Sequence, residues 1–458
     1  MTIAGQLGKF LTDTKVSDLP QVALERAAMS IASTIASAAM GYDIESARII
    51  RGIEIENGGA AQASVWFDGA RLPVAGAARA NALASDAAAS DDSDLRSIAH
   101  IGTIVSTSAI AMGERLGRSG RDVLGAMVLG YEAAGRIDEA LTPGRMQRGF
   151  HGSVSTVFGS AVATGKLLDL TVPQMTQAIA IAATSIGGMA IAANTSCARE
   201  YHAGLSAMLG VQAALAAQRG FLAEESVLEA PKGFFASMGG QALDEVTRGL
   251  GHSWDIATDM AIKLMPGGHP FHAIAEAAAN AAIEGNVQPA EISQIMISAD
   301  QMRDWHGPIH PRDLIGAAHS VVYFVAAAIA DRGFGWQHAT VAKMADPLIN
   351  ALQDKVVFDP HPTPLPDRFT HRHGGTVTIT MYDGRKFTST CTAPRGSGPR
   401  GIEWEDVDAK FRHLVPHSGL SAQRIEECLH AIHHFGEAKS VSALIDLLRL
   451  PSGHSDFL

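Results

Sequence analysis

KLMPGGHPFHA, residues 263–273, decides how the chain divides. Ahead of it, helical patterns follow one another; behind it, strand and helix signals alternate. Pro266, Gly267 and Gly268 form a break, and Lys263, His269 and His272 are grouped around it. Two histidines and a lysine this close fit a metal site, an acid–base pair or the polar residues of a turn. The surrounding sequence has to choose among them.

Upstream, residues 16–41, VSDLPQVALERAAMSIASTIASAAMG, read as a helix capped by Ser17 or Asp18 and ended by Gly41. Further helical patterns cover 120–141, 151–170, 203–221 and 223–235. One β interruption, ASVWFDGARLPV at 63–74, turns at Asp68-Gly69. Downstream, 292–300 alternates like a strand, 313–333 reads as a helix and 355–359 as a short strand. GTVTITMYDGRKFTSTC, 375–391, reads as a hairpin turning at Asp383-Gly384. APRGSGPRG, 393–401, resembles a linker, after which three amphipathic helices follow at 404–415, 421–435 and 440–449. Three short helices make a poor core alone. The expected fold is therefore mostly α: a large discontinuous all-α domain, 1–265 and 401–458, with a smaller α+β lid domain, 266–400, inserted in it.

Composition narrows the function classes. At 458 residues the chain exceeds one core, and 47% hydrophobic with 18% charged residues excludes disorder. The visible Ala and Gly content suits closely packed helices. A net charge of −11 without a Lys/Arg run argues against nucleic acid. Cys197, Cys391 and Cys428 form no CxxC, so neither a disulfide framework nor a thiolate zinc site is expected, and a reducing compartment fits. The N-terminus lacks an apolar secretory core, which points to the cytoplasm. Residues 170–198 carry no charge, yet SIGG and scattered Gln, Thr, Ser and Asn interrupt them; two short buried helices are expected there, not a membrane span.

Standard catalytic signatures fail. GSAVATGK, 159–166, has five residues between its glycines and no Ser or Thr after Lys166, so it is no phosphate loop. There is no GxGxxG opening a βαβ unit, no HExxH and no GxSxG. His361, His371 and His373 lie in a Pro-rich stretch whose spacing fits no standard zinc site, and no metal is expected.

Four polar stretches remain beside apolar helical sequence. NALASDAAASDDSDLRSIAH holds Asn81, Asp86, Asp91, Asp92, Ser93 and His100; RGFHGS holds His151 and Ser153. NTSCAREYHAG holds Asn194, Arg199, Tyr201 and His202, and the opening stretch supplies Lys263, His269 and His272. In this order, with DLPQVALERA, GYEAAGRI, HAGLSAMLGVQAALAAQRGF, AAHSVVYFVA and DAKFRHL around them, they make the chain resemble the MmgE/PrpD family over nearly its whole length. That family includes 2-methylcitrate dehydratase, cis-aconitate decarboxylase and iminodisuccinate epimerase. The resemblance implies a homodimer with a large all-α domain and a smaller α/β lid, and no cofactor.

By the same resemblance, Asp91, Asp92 and Ser93 match the family's acidic motif, His100 the histidine after it, His151 that of Gly-Phe-His, and His272 the one nine residues after Lys263. Two positions depart: the motif's leading His and Asp appear as Asp86 and Ala89, and its Lys before His-Ala-Gly appears as Arg199. The decarboxylase's catalytic Asp and Lys are thus both replaced. Family substrates are small di- and tricarboxylates that gain or lose a proton on carbon next to a carboxylate. Such chemistry needs a base, a group to offset the carboxylate and donors for the enolate-like charge. Arg199 suits the carboxylate, His100, His151 and His272 can act as base and acid, and Ser93, Ser153 or Tyr201 can donate to oxygen. Asp91 and Asp92 fit orienting a histidine or capping a helix better than facing an anion. Asn194, His202, Lys263 and His269 complete the expected substrate surround. The expected activity is that of a dehydratase-type lyase or an epimerase/isomerase; the alternative is a catalytically inactive dimeric carboxylate-binding protein.

Overall fold

The computed structural model describes residues 1–185, 188–240, 243–302, 306–363, 365 and 374–450. It divides into two compact units, 1–262 with 403 onward, and 263–402. The protein is mostly α: strands in the first unit are two residues long, and the second holds the one four-stranded sheet among the described residues.

In the first unit, α1 (Ile3–Asp13), α2 (Gln21–Gly41), α3 (Glu45–Asn57) and the short pair β1 (Ala63–Ser64) and β2 (Arg71–Leu72) precede α4 (Val74–Ala87). Strand β3 (Ser93–Asp94) leads into α5 (Ile101–Leu116), α6 (Gly120–Leu141), α7 (Gly144–Gln147) and α8 (Ser153–Leu167). Next come α9 (Val172–Ala182), α10 (Ala190–Thr195), α11 (Ala198–Gln218), α12 (Phe234–Met238), α13 (Asp255–Thr258) and β4 (Met260–Ala261), which pairs antiparallel with β3. Helix α2 is apolar or small on nearly every face and is buried accordingly. Close packing depends on small residues: a Cβ at Gly130 of α6 would lie 2.6 Å from the Gly159 carbonyl oxygen of α8.

In the second unit, α14 (His272–Glu284), α15 (Leu314–Ala318), α16 (Val321–Ala330), α17 (Val341–Met344) and α18 (Pro347–Gln353) accompany a sheet. Its strands are β5 (Ile292–Ser298), β6 (Val356–Phe358), β7 (Gly375–Met381) and β8 (Lys386–Cys391), in spatial order β6-β5-β7-β8. Only β5 and β6 are parallel. Strand β7 alternates buried and half-buried residues, and Ile295, Val377 and Ile379 join Ile274, Phe324 and Val325 in one core. The chain then returns to the first unit as α19 (Trp404–Leu414), α20 (Ala422–His433) and α21 (Ser442–Leu448). Trp404 Nε1 donates to Glu25 Oε1 of α2 at 3.1 Å, and Lys410 Nζ to Ser33 Oγ at 2.8 Å.

Local details differ from the sequence expectations. Helix α2 starts after Pro20, not from Ser17 or Asp18, because the Asp18 carboxylate accepts the Lys15 N–H of a preceding 3-10 turn instead. Residues 225–233 form turns, and only Phe234–Met238 of that stretch is helical: Pro231 and Gly233 break it. The expected helix at 313–333 is two, since Ser320 caps α16 by accepting from Tyr323 N–H. Helix α10 is not buried; Ile191 is 69% exposed. No helix among the described residues is long and apolar enough to cross a membrane. His361 is exposed, whereas His371 and His373 lie outside the described residues.

Candidate active site

Helix α4 ends beside Asp86, and the segment from 88 to 100 runs through the interior before His100 becomes the residue ahead of α5. Arg96 holds this segment. Its Nε and Nη2 donate to Asp94 at 3.0 and 2.7 Å, Nη2 also to Asp255 at 2.8 Å, and Nη1 to Glu139 at 3.0 Å. Ile98 sits at φ 60, a conformation costly for a β-branched residue, so these contacts over-determine the backbone there.

His100 is thereby presented to two buried carboxylates. Its Nδ1 lies 2.5 Å from Asp86 Oδ1 and 2.8 Å from Asp91 Oδ2. Arg199, at the start of α11, donates from Nε to Asp86 Oδ2 at 2.9 Å and from Nη2 to the Asp86 carbonyl at 2.6 Å. The two-pronged contact expected with a substrate carboxylate is therefore made with Asp86 and the end of α4. The physical reason is that a helix C-terminus with an adjacent carboxylate is a preformed partner for guanidinium.

His151 lies immediately before α8, half-buried, with its ring centroid 6.3 Å from that of His100 and 5.9 Å from that of His202. The Ser153 N–H donates to His151 Nδ1 at 3.3 Å, and Ser153 Oγ is 3.4 Å from the same atom. Burial first, then His100, Arg145 and His202, hold the His151 pKa well below the usual histidine range, against an opposite pull from Asp86. Burial also lowers His202, with Asp86 opposing. Asp92 turns away to accept from Ser30 Oγ at 2.6 Å; burial pushes its carboxyl up to about 6, opposed by Ser30, Lys410 and His100. Ser93 is fully buried and its backbone pairs with Ala261.

The first unit thus brings together His100, His151, Ser153, Arg199, His202 and Asp91. Tyr201 and Asn194 are not among them. Tyr201 is 43% exposed under the Arg79 guanidinium, and Asn194 is exposed at the end of α10. Asn81 serves β1, accepting from Trp66 N–H and donating to the Ser64 carbonyl. In the second unit, Lys263, His269 and His272 are buried, the two rings are 4.5 Å apart, and His272 stacks on Phe324. The glycine break packs tightly: Gly267 has φ +92, and Gly268 N–H donates to the Ala318 carbonyl at 2.8 Å.

Three supporting residues escape sequence reasoning. Arg145 donates from Nε to Asp138 at 3.0 Å, from Nη2 to the Ser97 carbonyl at 2.8 Å and from Nη1 to the Phe150 carbonyl at 3.3 Å, tying together the chain just before His100 and just before His151. Lys410 reaches the Ser90 carbonyl from α19. A Cβ on Gly188 would stand 2.2 Å from Ser153 Oγ and 3.0 Å from His202 Nδ1. The nearest signal for Arg145 is its place between a helix end and the RGFH stretch. Ligand atoms of Asp86, Asp91 and His100 lie within 4.8 Å of one another, close enough for a metal ion, though Arg199 already occupies Asp86.

Residues 5–246 match the sequence profile of the MmgE/PrpD N-terminal domain, and 265–433 that of the MmgE/PrpD C-terminal domain. Among relatives, cis-aconitate decarboxylase of Homo sapiens is 27% identical over 452 residues, 96% of this chain and 92% of the relative. The protein of that name from Aspergillus terreus is 26% identical over 98% of this chain and 96% of its own. That from Mus musculus is 26% identical over 73% of this chain and 69% of its own.

Proposed function

The chain belongs to the MmgE/PrpD family, and from that premise we propose that it is a lyase or epimerase that removes a proton from carbon next to a carboxylate of a small di- or tricarboxylate, without metal or cofactor. The observation that carries this reading is the anchoring of His100. With Nδ1 turned to Asp86 and Asp91, its proton belongs on Nδ1, which makes Nε2 the ring nitrogen whose lone pair is basic. The imidazolium so formed faces two carboxylates, which stabilise it as the buried acid does in a catalytic triad.

His151 and His202 stand beside His100 as further polar contacts for substrate. Arg199 acts through Asp86, whose carboxylate and carbonyl it holds. Loss of water and return of a proton to the other face both follow from the carbanion-like intermediate that proton removal leaves, whereas loss of carbon dioxide reaches a similar intermediate by breaking a carbon–carbon bond and then takes up a proton. The relatives are named as decarboxylases. Ala89 and Arg199 nevertheless replace the decarboxylase's Asp and Lys, so dehydration or epimerisation ranks ahead. The resemblance also favours a homodimer, and three cysteines without a CxxC pair favour a reducing, cytoplasmic setting.

Incubation with citrate-, cis-aconitate- and succinate-type acids in heavy water, followed by proton NMR and carbon dioxide detection, tests the reading. Turnover or deuterium uptake with at least one acid is expected, retained after chelation and lost in His100→Gln. No exchange with any acid, together with tight carboxylate binding, would establish an inactive binding protein instead.

A further inference from the structure

His100 and His151 face each other across 6.3 Å but are anchored by opposite kinds of partner. His100 presents Nδ1 to carboxylates, which can only accept. His151 presents Nδ1 to the backbone N–H of Ser153, which can only donate. Ser153 is the first residue of α8, a fifteen-residue helix, and its N–H is one of the donors that a helix start leaves without an intrahelical partner. A nitrogen that accepts from N–H carries no proton of its own. In neutral His151 the proton therefore sits on Nε2.

We infer that His151 works as a neutral, Nε2-protonated hydrogen-bond donor to the oxygen on which charge develops, while His100 alone moves the proton. The inference rests on the proton-abstraction reading of this site. In the step, the carbon–hydrogen bond breaks, His100 Nε2 takes the proton, and the electron pair moves into the substrate carboxylate as an enolate. His151 Nε2–H stabilises that oxygen and keeps its proton throughout. A neutral imidazole is the better matched donor here: an imidazolium would hold the ground-state carboxylate nearly as strongly as the enolate and so gain less at the transition state.

The groups facing His151 agree with this assignment. His100 ahead of α5, Arg145 on α7 and His202 on α11 all oppose a second proton on the ring, against a pull from Asp86 at the end of α4. Gly188 keeps the arrangement compact, because any side chain there would displace Ser153 Oγ from beside the ring. The same helix start that fixes the tautomer also disfavours a cation at that position.

Long-range proton–nitrogen NMR on protein labelled with nitrogen-15 histidine, titrated from pH 8 to pH 5.5, reads the tautomer directly. The resonance lost in His151→Gln is expected to show Nε2–H throughout; an Nδ1–H pattern, or imidazolium at pH 6, overturns the inference. Ser153→Ala removes the hydroxyl and keeps the N–H, so the Nε2–H pattern is expected to persist, and a switch to Nδ1–H overturns the assignment to the backbone. Neither measurement needs a substrate, so an absence of turnover sinks the activity and leaves the tautomer standing. With an active substrate, His151→Gln retains a neutral donor and is expected to stay within about tenfold of wild type, with the acid limb of the kcat/KM profile unmoved. His151→Phe is expected to lose about 10²–10³-fold in kcat, the range for one missing oxyanion donor. Equal losses in both variants would mean that His151 transfers a proton.

Discussion

Arg199 commits Nε and Nη2 to the carboxylate and carbonyl of Asp86, and Asp86 in turn meets His100 Nδ1. A lysine at 199 offers a point charge without the planar fork, so it cannot hold both oxygens in this geometry. Arg199→Lys is expected to lower kcat about 10–100-fold with little change in KM, because a loosened base costs rate more than binding. A large rise in KM at unchanged kcat would instead make Arg199 a substrate clamp. Gly188→Ala forces Ser153 Oγ and His202 apart and is expected to cut kcat by about tenfold or more while the far-ultraviolet circular dichroism stays unchanged. Unimpaired turnover would mean that the hydroxyl simply rotates out of the way. At this scale the grouping of His100 with His151, whose rings lie 6.3 Å apart, was legible, since short motifs carry both residues. The Asp86–Arg199 pair was not: 113 residues separate its partners, and nothing in a linear pattern selects one buried acid among the several near position 90.

Among elements, legibility followed the reach of the interactions. Helix α6 could be read because its start is set locally, Ser119 and Asp122 closing a reciprocal cap. The sheet pairing β7–β8 was equally local, a hairpin around Asp383-Gly384. The segment from 88 to 100 could not be read, because it is short in regular structure and its shape is imposed by distant residues. Arg96 fastens it to α6 and α13, and Arg145 fastens Ser97 to the chain before α8. Arg145 is buried and supplies donors to three oxygens, and Asp138 also accepts from Ser155 Oγ at 2.6 Å. Replacing it by an apolar residue leaves the Asp138 carboxylate buried beside a single hydroxyl. Arg145→Met is therefore expected to cost about 3–5 kcal/mol in urea-induced unfolding, the range for breaking a buried ion pair. A loss below about 1 kcal/mol would show that the two loops hold their shape by packing alone.

Across the first unit as a whole, buried acids outnumber the cations facing them. Arg96 and Arg136 are met by Asp94, Asp255, Glu132 and Glu139, and Asp92 lies nearby. Burial, the first cause in each case, pushes Asp92 up to about 6, Asp94 to about 7 and Glu132 to about 8, the last also through Asp255. The folded protein thus keeps protons that the unfolded chain releases near pH 4. Their contribution is full below that range and is lost as pH rises through 6 to 8, by up to about 1.4 kcal/mol per unit for each group while it titrates. His151 and His202 pull the other way on the acid side: their folded pKa values are depressed, so their contribution is present above about 6.5 and fades as pH falls. Burial also raises Glu139, Glu200 and Asp255, so the raised acids outnumber the two depressed histidines and place the most stable condition on the mildly acidic side of neutrality. Thermal unfolding is accordingly expected to show a falling midpoint between pH 6 and pH 9. Glu132→Gln keeps one oxygen to accept from Arg136 or from Asp255 N–H but has no proton to lose, so it is expected to be less stable at pH 6 yet to decline less steeply from pH 7 to pH 9. An unchanged slope in that variant, or a wild-type midpoint that rises over the same interval, would show that these carboxylates are ionised in the folded state, balanced by their arginines rather than by protons.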